Sequence, residues 1–130
     1  DDPAVAGDKA FNWQTAFPQV FAKGGFDVVI GNPPYVRVQN IENNLVDYYF
    51  QKYQSPKGKL DLSILFFEKV FKLINNKGVA GYISSSQWMQ TDYGENIRKI
   101  LSENKFSEII DFGSLPVFED VETYPAIELC

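Results

Sequence analysis

The sequence has no histidine and only one cysteine, Cys130, among its 130 residues. These residues alone cannot build a Cys/His zinc site or a disulfide framework, and we expect no bound metal. No apolar run approaches the ~20 residues of a membrane-spanning helix. The acidic start, DDPAVAGDKA, is unlike a signal peptide. We therefore expect a cytoplasmic protein that does not contact a membrane.

Two phosphate-binding patterns, GxxxxGK[ST] and GxGxxG, are also missing, which argues against an ATPase. Basic residues are few: 12 Lys and Arg stand against 17 Asp and Glu, and the net charge is −5. A freestanding nucleic-acid binder normally carries clustered Lys and Arg. Any contact with nucleic acid therefore needs basic surface from outside these residues.

The sequence is rich in apolar residues: 45% of the chain is hydrophobic and 15% is aromatic. This content and length predict one packed core and leave too little chain for two domains. The chain opens without a start methionine and closes on the strand-like YPAIELC. We therefore expect it to be a fragment of a larger protein.

The chain divides into two parts by pattern. Residues 1–25 show no clean period, and we expect a loop-rich approach with a short helical turn near residues 18–24. Residues 26–130 alternate strand and helix patterns, which implies an α/β fold with a mostly parallel sheet and right-handed crossovers. The predicted strands lie at residues 26–31, 79–84, 106–113 and 126–130, and the predicted helices at about 45–54, 61–76 and 95–104.

Two of these elements have the clearest patterns. Apolar residues follow one another almost without a break in FDVVIG, residues 26–31, which predicts a central strand buried on both faces. In residues 61–76, Asp61 can cap the first turn, and apolar residues recur at spacings of three and four. Asn75, Asn76 and Gly78 are predicted to end this helix.

The first strand ends in the turn Asn32-Pro33-Pro34-Tyr35. Each proline fixes its own φ at about −65° and holds the preceding residue extended, so the turn is stiff. The prolines lack N–H groups but keep their carbonyls, and the Asn32 side chain adds another acceptor. Two acceptors can converge on one NH₂ group, and the Tyr35 ring can stack on a planar group. The turn therefore suits a ligand that carries an exocyclic amine beside a ring.

The position of this turn in the predicted sheet is typical of a binding site. Ligands of open α/β sheets bind outside the carboxyl ends of the strands. The loops after Ile30, Ile83 and Asp111 are predicted to lie at that edge. The Asn-Pro-Pro-Tyr turn belongs to the first of these loops.

The segment GGFDVVIGNPPYVR resembles the catalytic segment of S-adenosylmethionine-dependent amino-group methyltransferases. It is most similar to the DNA adenine-N6 enzymes of type IIG restriction-modification systems and related phage-defence methyltransferases. Other segments that match in family order are FNWQTAFPQVF, DLSILFFEKVFKLINNKGVAGYISSSQW, IRKILSENKFSEIIDFGSLPVF and YPAIEL. The resemblance implies that residues 1–130 are part of a catalytic domain with a Rossmann-like methyltransferase fold, namely the C-terminal half of its mostly parallel sheet.

The resemblance also implies roles for the turn. Asn32 and the Pro33 carbonyl would accept hydrogen bonds from the adenine amino group, with Pro34 and Tyr35 completing the catalytic motif. Tyr35 would stack on the flipped base, and Phe118 matches the family aromatic that packs against the same base. The plain structural alternatives are an ordinary strand-ending turn for residues 32–35 and a core position for Phe118.

Three further residues, Asp61, Leu62 and Phe66, fall in a segment that lies near the cofactor in the family. Their structural alternatives are a helix cap for Asp61 and core packing for Leu62 and Phe66. The family's glycine-rich cofactor loop and the acidic residue that grips the cofactor ribose are not in the sequence. We therefore expect the main cofactor-binding motifs to lie outside these 130 residues and the fragment alone to be inactive.

The chemistry explains the residue types that the family uses. The lone pair of an adenine amino nitrogen is delocalised into the ring, and two acceptors that bind its hydrogens favour a pyramidal nitrogen able to attack a sulfonium methyl group. Positioning dominates such a reaction, so no histidine base is needed. The base must first leave the duplex by base flipping.

The predicted partners are duplex DNA, the remaining half of the methyltransferase domain and a target-recognition domain with basic surface. An open sheet edge in the fragment also carries a risk of self-association. Two other functions stay open from the residues alone. One is the same methylation of another amine, a protein glutamine or a ribosomal RNA guanine, and the other is a binding or scaffold fragment without turnover.

Overall fold

The computed structural model describes residues 2–34, 39, 41–104, 106–115, 117 and 125–129. Short 3₁₀ turns cover Gly7–Lys9, Ser86–Met89 and Asp92–Gly94. The helices are α1 (Pro3–Ala6), α2 (Trp13–Ala16), α3 (Pro18–Phe21), α4 (Asn43–Lys52), α5 (Leu62–Val70) and α6 (Glu95–Glu103). The strands are β1 (Phe26–Gly31), β2 (Ile74–Ser85), β3 (Glu108–Asp111) and β4 (Pro125–Leu129). The predicted alternation of strands and helices after residue 26 is confirmed.

The segment before β1 is more helical than predicted. Side-chain caps start two of its short helices: the Asp2 carboxylate accepts from the backbone N–H of Ala4, and the Asn12 side chain accepts from Thr15 N–H. The predicted turn near residues 18–24 is confirmed as α3. The expectation of an otherwise loop-rich approach is wrong, because single helical turns with local caps leave no periodic apolar pattern.

The described strands form one sheet in the order β1-β2-β4-β3. β1 pairs with β2 in parallel, whereas β4 is antiparallel to both β2 and β3. Three strands therefore run in one direction and β4 runs in the other. The α/β class is confirmed, but β4 departs from the parallel arrangement. The amino-acid sequence between β3 and β4 has no helical periodicity, and an antiparallel return needs no crossover helix.

The helix predicted for residues 61–76 is shorter in the structure. α5 ends at Val70, and residues 74–76 belong to β2. The backbone N–H of Phe26 donates to the Leu73 carbonyl at 2.8 Å, and Ile74 is the register partner of Phe26. The predicted helix end was wrong because this long-range pairing draws residues 74–76 into the sheet.

The core lies between one face of the sheet and the helices α5 and α6. Its fully buried members include Ile64, Phe67 and Val70 of α5, Ala80 of β2 and Ile97 of α6. Asp61 caps α5, since its Oδ1 accepts from Ser63 N–H at 2.9 Å. The cap and the buried face together hold α5 against β2, with its N-terminus beside the sheet edge that carries the predicted site.

β1 is not the central, doubly buried strand that its sequence predicted. Within the described sheet it lies at the edge, and its side chains Val28 and Ile30 are 63% and 81% exposed. Val29, on the other face, packs against the core. An uninterrupted apolar run shows that both faces of a strand are apolar, and does not show what covers them.

No helix in the described part of the chain is long and apolar enough to cross a membrane.

Candidate active site

The ends of β1, β2 and β3 meet at one edge of the sheet. These three strands run in the same direction, so the segments after Gly31, Ser85 and Asp111 leave from the same edge. The predicted placement of the three loops is therefore confirmed. Phe112 continues the last of these segments by donating its N–H to the Pro125 carbonyl at 3.1 Å.

A cleft of about 660 Å³ opens beside the end of β1. We call it the β1 cleft. It combines the start of the Asn-Pro-Pro-Tyr turn with residues from the N-terminal segment, α4, α5 and β2. Its lining consists of Phe11, Trp13, Val29, Ile30, Gly31, Asn32, Pro33, Pro34, Tyr48, Tyr49, Tyr53, Leu62, Leu65, Phe66, Lys69, Leu73 and Tyr82.

The turn presents its polar group to this cleft. Pro33 is buried, whereas Asn32 and Pro34 are exposed. Among the residues that the structure describes, none forms a hydrogen bond with the Asn32 side chain. The exposed amide of Asn32 is thus not engaged by the described residues, on a turn whose backbone the two prolines stiffen.

The structure brings five of the predicted site residues into the β1 cleft: Asn32, Pro33, Pro34, Leu62 and Phe66. The ring of Phe66 is 41% exposed although it lies on the mainly buried α5. That exposure leaves a flat apolar surface on the cleft wall. Tyr35 and Phe118 lie outside the described residues.

Asp61 does not line the β1 cleft. Its Oδ1 accepts hydrogen bonds from Ser63 N–H at 2.9 Å and Ser63 Oγ at 2.8 Å, so it acts as a helix cap. It lines a neighbouring cleft of about 620 Å³, together with Gln39, Lys57, Gly58, Lys59, Leu60, Gln87, Thr91, Asp92 and Tyr93. The geometry thus shows Asp61 as a helix cap, and its predicted contact with the cofactor stays a prediction.

The neighbouring cleft carries both signs of charge. Lys57 forms an ion pair with Glu95 at the start of α6. The hydrogen bond from Lys57 holds the pKa of Glu95 below its ordinary value, and the positive charge of Lys57 acts in the same direction. Lys57 is thus engaged at the surface of the protein.

The α4 and α5 helices add groups to the β1 cleft that the sequence reasoning missed. Lys69 lies one helical turn beyond Phe66, and its pKa is lowered by burial and by the nearby positive charge of Lys72. Burial raises the pKa of the Tyr53 hydroxyl, and the Lys72 Nζ lies 5.2 Å from the centre of the Tyr53 ring. The spacing of Leu62, Phe66 and Lys69 on one helix was the available indication.

Within the described ranges, no group of three or more His, Cys, Asp or Glu side chains is placed to hold a metal ion. The site is therefore defined by an amide, carbonyls, aromatic rings and one lysine. Groups of these types suit a planar ligand that carries an amine.

Comparison with known protein families identifies the class of protein to which the chain belongs. Residues 1–118 match the family described as Eco57I restriction-modification methylase. The match covers most of the chain, including β1, its turn, α5 and β2. The chain belongs to this family.

Individual relatives agree with that class. The chain is 39% identical over 107 residues to the type II restriction enzyme and methyltransferase RM.Eco57I of Escherichia coli, covering 78% of the chain and 11% of the relative. It is 36% identical over 104 residues to the type II methyltransferase M.BstVI of Geobacillus stearothermophilus, covering 78% of the chain and 18% of the relative. It is 31% identical over 80 residues to the adenine-specific methyltransferase BrxX of Escherichia coli O9:H4 (strain HS), covering 62% of the chain and 6% of the relative.

The chain thus spans less than a fifth of the length of these relatives. The family match over residues 1–118 contains the turn and the residues that line the β1 cleft. The remaining length of the relatives has no counterpart in these 130 residues.

Proposed function

We propose that the chain is part of the catalytic domain of a DNA methyltransferase that transfers a methyl group from S-adenosylmethionine to adenine N6, in a restriction-modification or phage-defence system. The observation that carries the proposal is the exposed Asn32 amide on a proline-stiffened turn in the β1 cleft. The adenine-specific relative and the restriction-modification family support the choice of reaction. The cytoplasm is the place where we expect it to act.

The turn would bind the target amine by hydrogen bonds. Asn32 Oδ1 and the Pro33 carbonyl would accept the two hydrogens of the adenine amino group. Bonds in this direction hold the nitrogen lone pair away from the ring and point it at the methyl donor. Tyr35 would stack on the base after it leaves the duplex, a contact worth ~1 to 3 kcal/mol, and Phe118 would pack against the same base.

The β1 cleft also fits part of a cofactor site. S-adenosylmethionine, when bound, supplies a methyl group on a sulfonium centre. Leu62 and the exposed ring of Phe66 would contact its apolar parts, because they line the same cleft as Asn32. We propose that the four-stranded sheet is the C-terminal half of a Rossmann-like methyltransferase fold, and that other parts of the protein complete the cofactor site.

The charge of the chain supports the view that DNA binding and catalysis are carried out by different parts of a longer protein. At a net charge of −5, these residues do not supply the positive surface that attracts DNA. The relatives are more than five times as long as the matched segment. We propose that a target-recognition domain elsewhere in the protein binds duplex DNA, and that residues 1–130 alone have no activity.

The alternative functions have less support. Relatives named as type II or adenine-specific methyltransferases do not favour a protein glutamine or an RNA guanine as acceptor. They also do not favour a scaffold without turnover. These acceptors remain the next to assay if DNA receives no methyl group.

The decisive experiment uses the full-length protein that contains these residues, labelled S-adenosylmethionine and duplex DNA. We expect N6-methyladenine from the wild type and a loss of at least about 100-fold in Asn32→Ala, because the amine is no longer oriented. DNA binding should be largely retained. Asn76→Ala, an exposed asparagine of β2 outside both clefts, is the matched control and should act as the wild type. Undiminished turnover in Asn32→Ala would refute the proposed role of the turn.

A further inference from the structure

Gly31, the residue before Asn32, lies against an aromatic ring of the next strand. It is the register partner of Tyr82 in the parallel pair β1 and β2. A Cβ atom added to Gly31 would lie 2.5 Å from Tyr82 Cε1 and 2.9 Å from Cδ1. Gly31 is not among the glycines with positive φ, so the ring, and not the backbone angle, demands glycine at this position.

The Tyr82 ring has little freedom to move aside. Tyr82 is 6% exposed, and its ring stands edge-to-face with Phe67, with centroids 5.5 Å apart at 82°. Phe67 is fully buried, and its centroid lies 5.6 Å from that of Trp88. We call Trp88, Phe67 and Tyr82 the aromatic column. It extends from the segment after β2 to the backbone of β1, one residue before the turn.

The column ends at the backbone of Gly31, and Tyr82 also lines the β1 cleft with Asn32. A packed ring of this kind is stiff, because interiors are close-packed and a displaced ring must displace its neighbours. The Gly31 peptide is therefore held from the core side by Tyr82. The prolines stiffen the turn from the other side, along the chain.

We propose that Tyr82 is a positioning residue for the methyl-transfer reaction: its ring, which lies against Gly31, sets the position of that residue and so aims the Asn32 amide at the target amine. This inference rests on the proposed function. It assigns to Tyr82 no contact with the reacting atoms. Tyr82 would affect the orientation of the Asn32 amide. The rate of a reaction of this kind can fall by about 100-fold when a group is displaced by about 1 Å.

The test compares kcat, KM and local stability in the full-length protein. Tyr82→Leu removes the ring beside Gly31, and Phe67→Leu removes the neighbouring ring of the same column without touching Gly31. We expect Tyr82→Leu to lower kcat by about 10- to 100-fold with little change in the KM for DNA. We expect Phe67→Leu to reduce the hydrogen-exchange protection of β2 about as much as Tyr82→Leu does. It should nevertheless lower kcat much less than Tyr82→Leu. Tyr82→Phe keeps the ring and should restore most of the wild-type kcat.

A double substitution separates positioning from general damage. Gly31→Ala alone should lower kcat sharply, since its Cβ overlaps the Tyr82 ring. In Gly31→Ala with Tyr82→Leu the overlap is relieved, so the combined loss should be smaller than the product of the two single losses. A combined loss equal to that product would overturn the direct link between Gly31 and Tyr82.

The remaining outcomes distinguish the two proposals. Equal kcat losses in Tyr82→Leu and Phe67→Leu at equal loss of protection would overturn the positioning role and leave the proposed function intact. If the wild type transfers no methyl group to DNA, the proposed function fails. The role of Tyr82 fails with it if protein and RNA receive no methyl group either.

Discussion

Two turns at the same sheet edge are held by different means. In residues 32–34, here the β1 turn, two prolines stiffen the backbone. The ring of Tyr82 lies against the preceding residue, Gly31, and the Asn32 amide has no hydrogen-bond partner among the described residues. In residues 86–94, here the β2 turn, hydrogen bonds hold the backbone in place.

The β2 turn is held from α6 and from within. Arg98 donates from Nη1 to the Trp88 carbonyl at 2.6 Å and to the Thr91 carbonyl at 2.8 Å. The Thr91 hydroxyl donates to the Gln87 carbonyl at 2.7 Å. The polar groups of the β2 turn are thus used to hold its shape, whereas the Asn32 side chain of the β1 turn is not used in this way by the described residues. We therefore expect changes in the β2 turn to affect stability, and changes in the β1 turn to affect activity.

The largest effect on stability is expected from Gly94→Ala. The φ of Gly94 is −84°, which suits alanine, but the added Cβ would overlap the Trp88 carbonyl. We expect a loss of about 3 kcal/mol in local stability, as in severe overpacking. Hydrogen exchange of peptides covering residues 86–103 in the full-length protein measures it. Gly58→Ala, at φ +63° in open space, is the control and should cost only about 1 kcal/mol. Equal costs would show that Gly94 is not needed for space.

Arg98→Ala should come next. It leaves two backbone carbonyls of the β2 turn without their charged donor, a cost of about 2 kcal/mol. The same exchange measurement should show faster exchange in the β2 turn and in α6. Lys99→Ala, exposed on the same helix, should stay within about 0.5 kcal/mol of the wild type. Wild-type protection in Arg98→Ala would contradict the view that hydrogen bonds hold this turn.

Pro34→Ala probes the β1 turn. Because the main effect on stability is greater freedom of the unfolded chain, the stability should fall by less than about 1 kcal/mol. Methyl transfer should fall by about 10-fold, since the turn orients its amide less well. Pro18→Ala, in the first turn of α3 and also exposed, should show a similar small change in stability with unchanged methyl transfer. If Pro34→Ala lost stability but kept its activity, the expectation that the β1 turn affects activity more than stability would be wrong.

The smallest effect is expected from Lys57→Ala. The hydrogen bond and charge of Lys57 lower the pKa of Glu95, so the pair contributes above the ordinary pKa of 4.5 and is lost as the pH falls through the lowered value. The pair is exposed to solvent, and its loss should leave the β2 turn protected. NMR titration of the Glu95 carboxyl should show its pKa rising toward 4.5, with no change in Lys77→Ala. Loss of protection in the turn would mean that surface charge helps to hold it.

The types of the main elements could be predicted because each has a local pattern. The apolar run of β1, the spacing in α5 and the amphipathic α6 depend on neighbours in sequence. The antiparallel direction of β4, the early end of α5 and the edge position of β1 depend on strand pairing between distant segments. Local periodicity contains no information on such pairing.

The candidate site divides in the same way. Asn32, Pro33 and Pro34 form a contiguous motif whose hydrogen-bonding groups can be predicted from the sequence. Leu62 and Phe66 were predicted from the family resemblance, and both line the β1 cleft. The contact between Gly31 and Tyr82 joins residues about fifty positions apart and follows only from the register of β1 against β2. Sequence reasoning therefore found Asn32, which we propose binds the target amine, and missed Tyr82, which we propose positions it.

The order of the strands has a consequence for protein synthesis. β4 lies between β2 and β3 in the sheet but is the last of the four to be made. At ~5–20 residues per second, the ribosome needs roughly one to four seconds to extend the chain from the end of β3 at Asp111 to the end of β4 at Leu129. During that interval β3 has no described strand beside it, whereas β1 and β2 can already pair. In the described sheet, β3 therefore gains its neighbour only after residues 125–129 have been made, and a pause before residue 125 would delay that pairing.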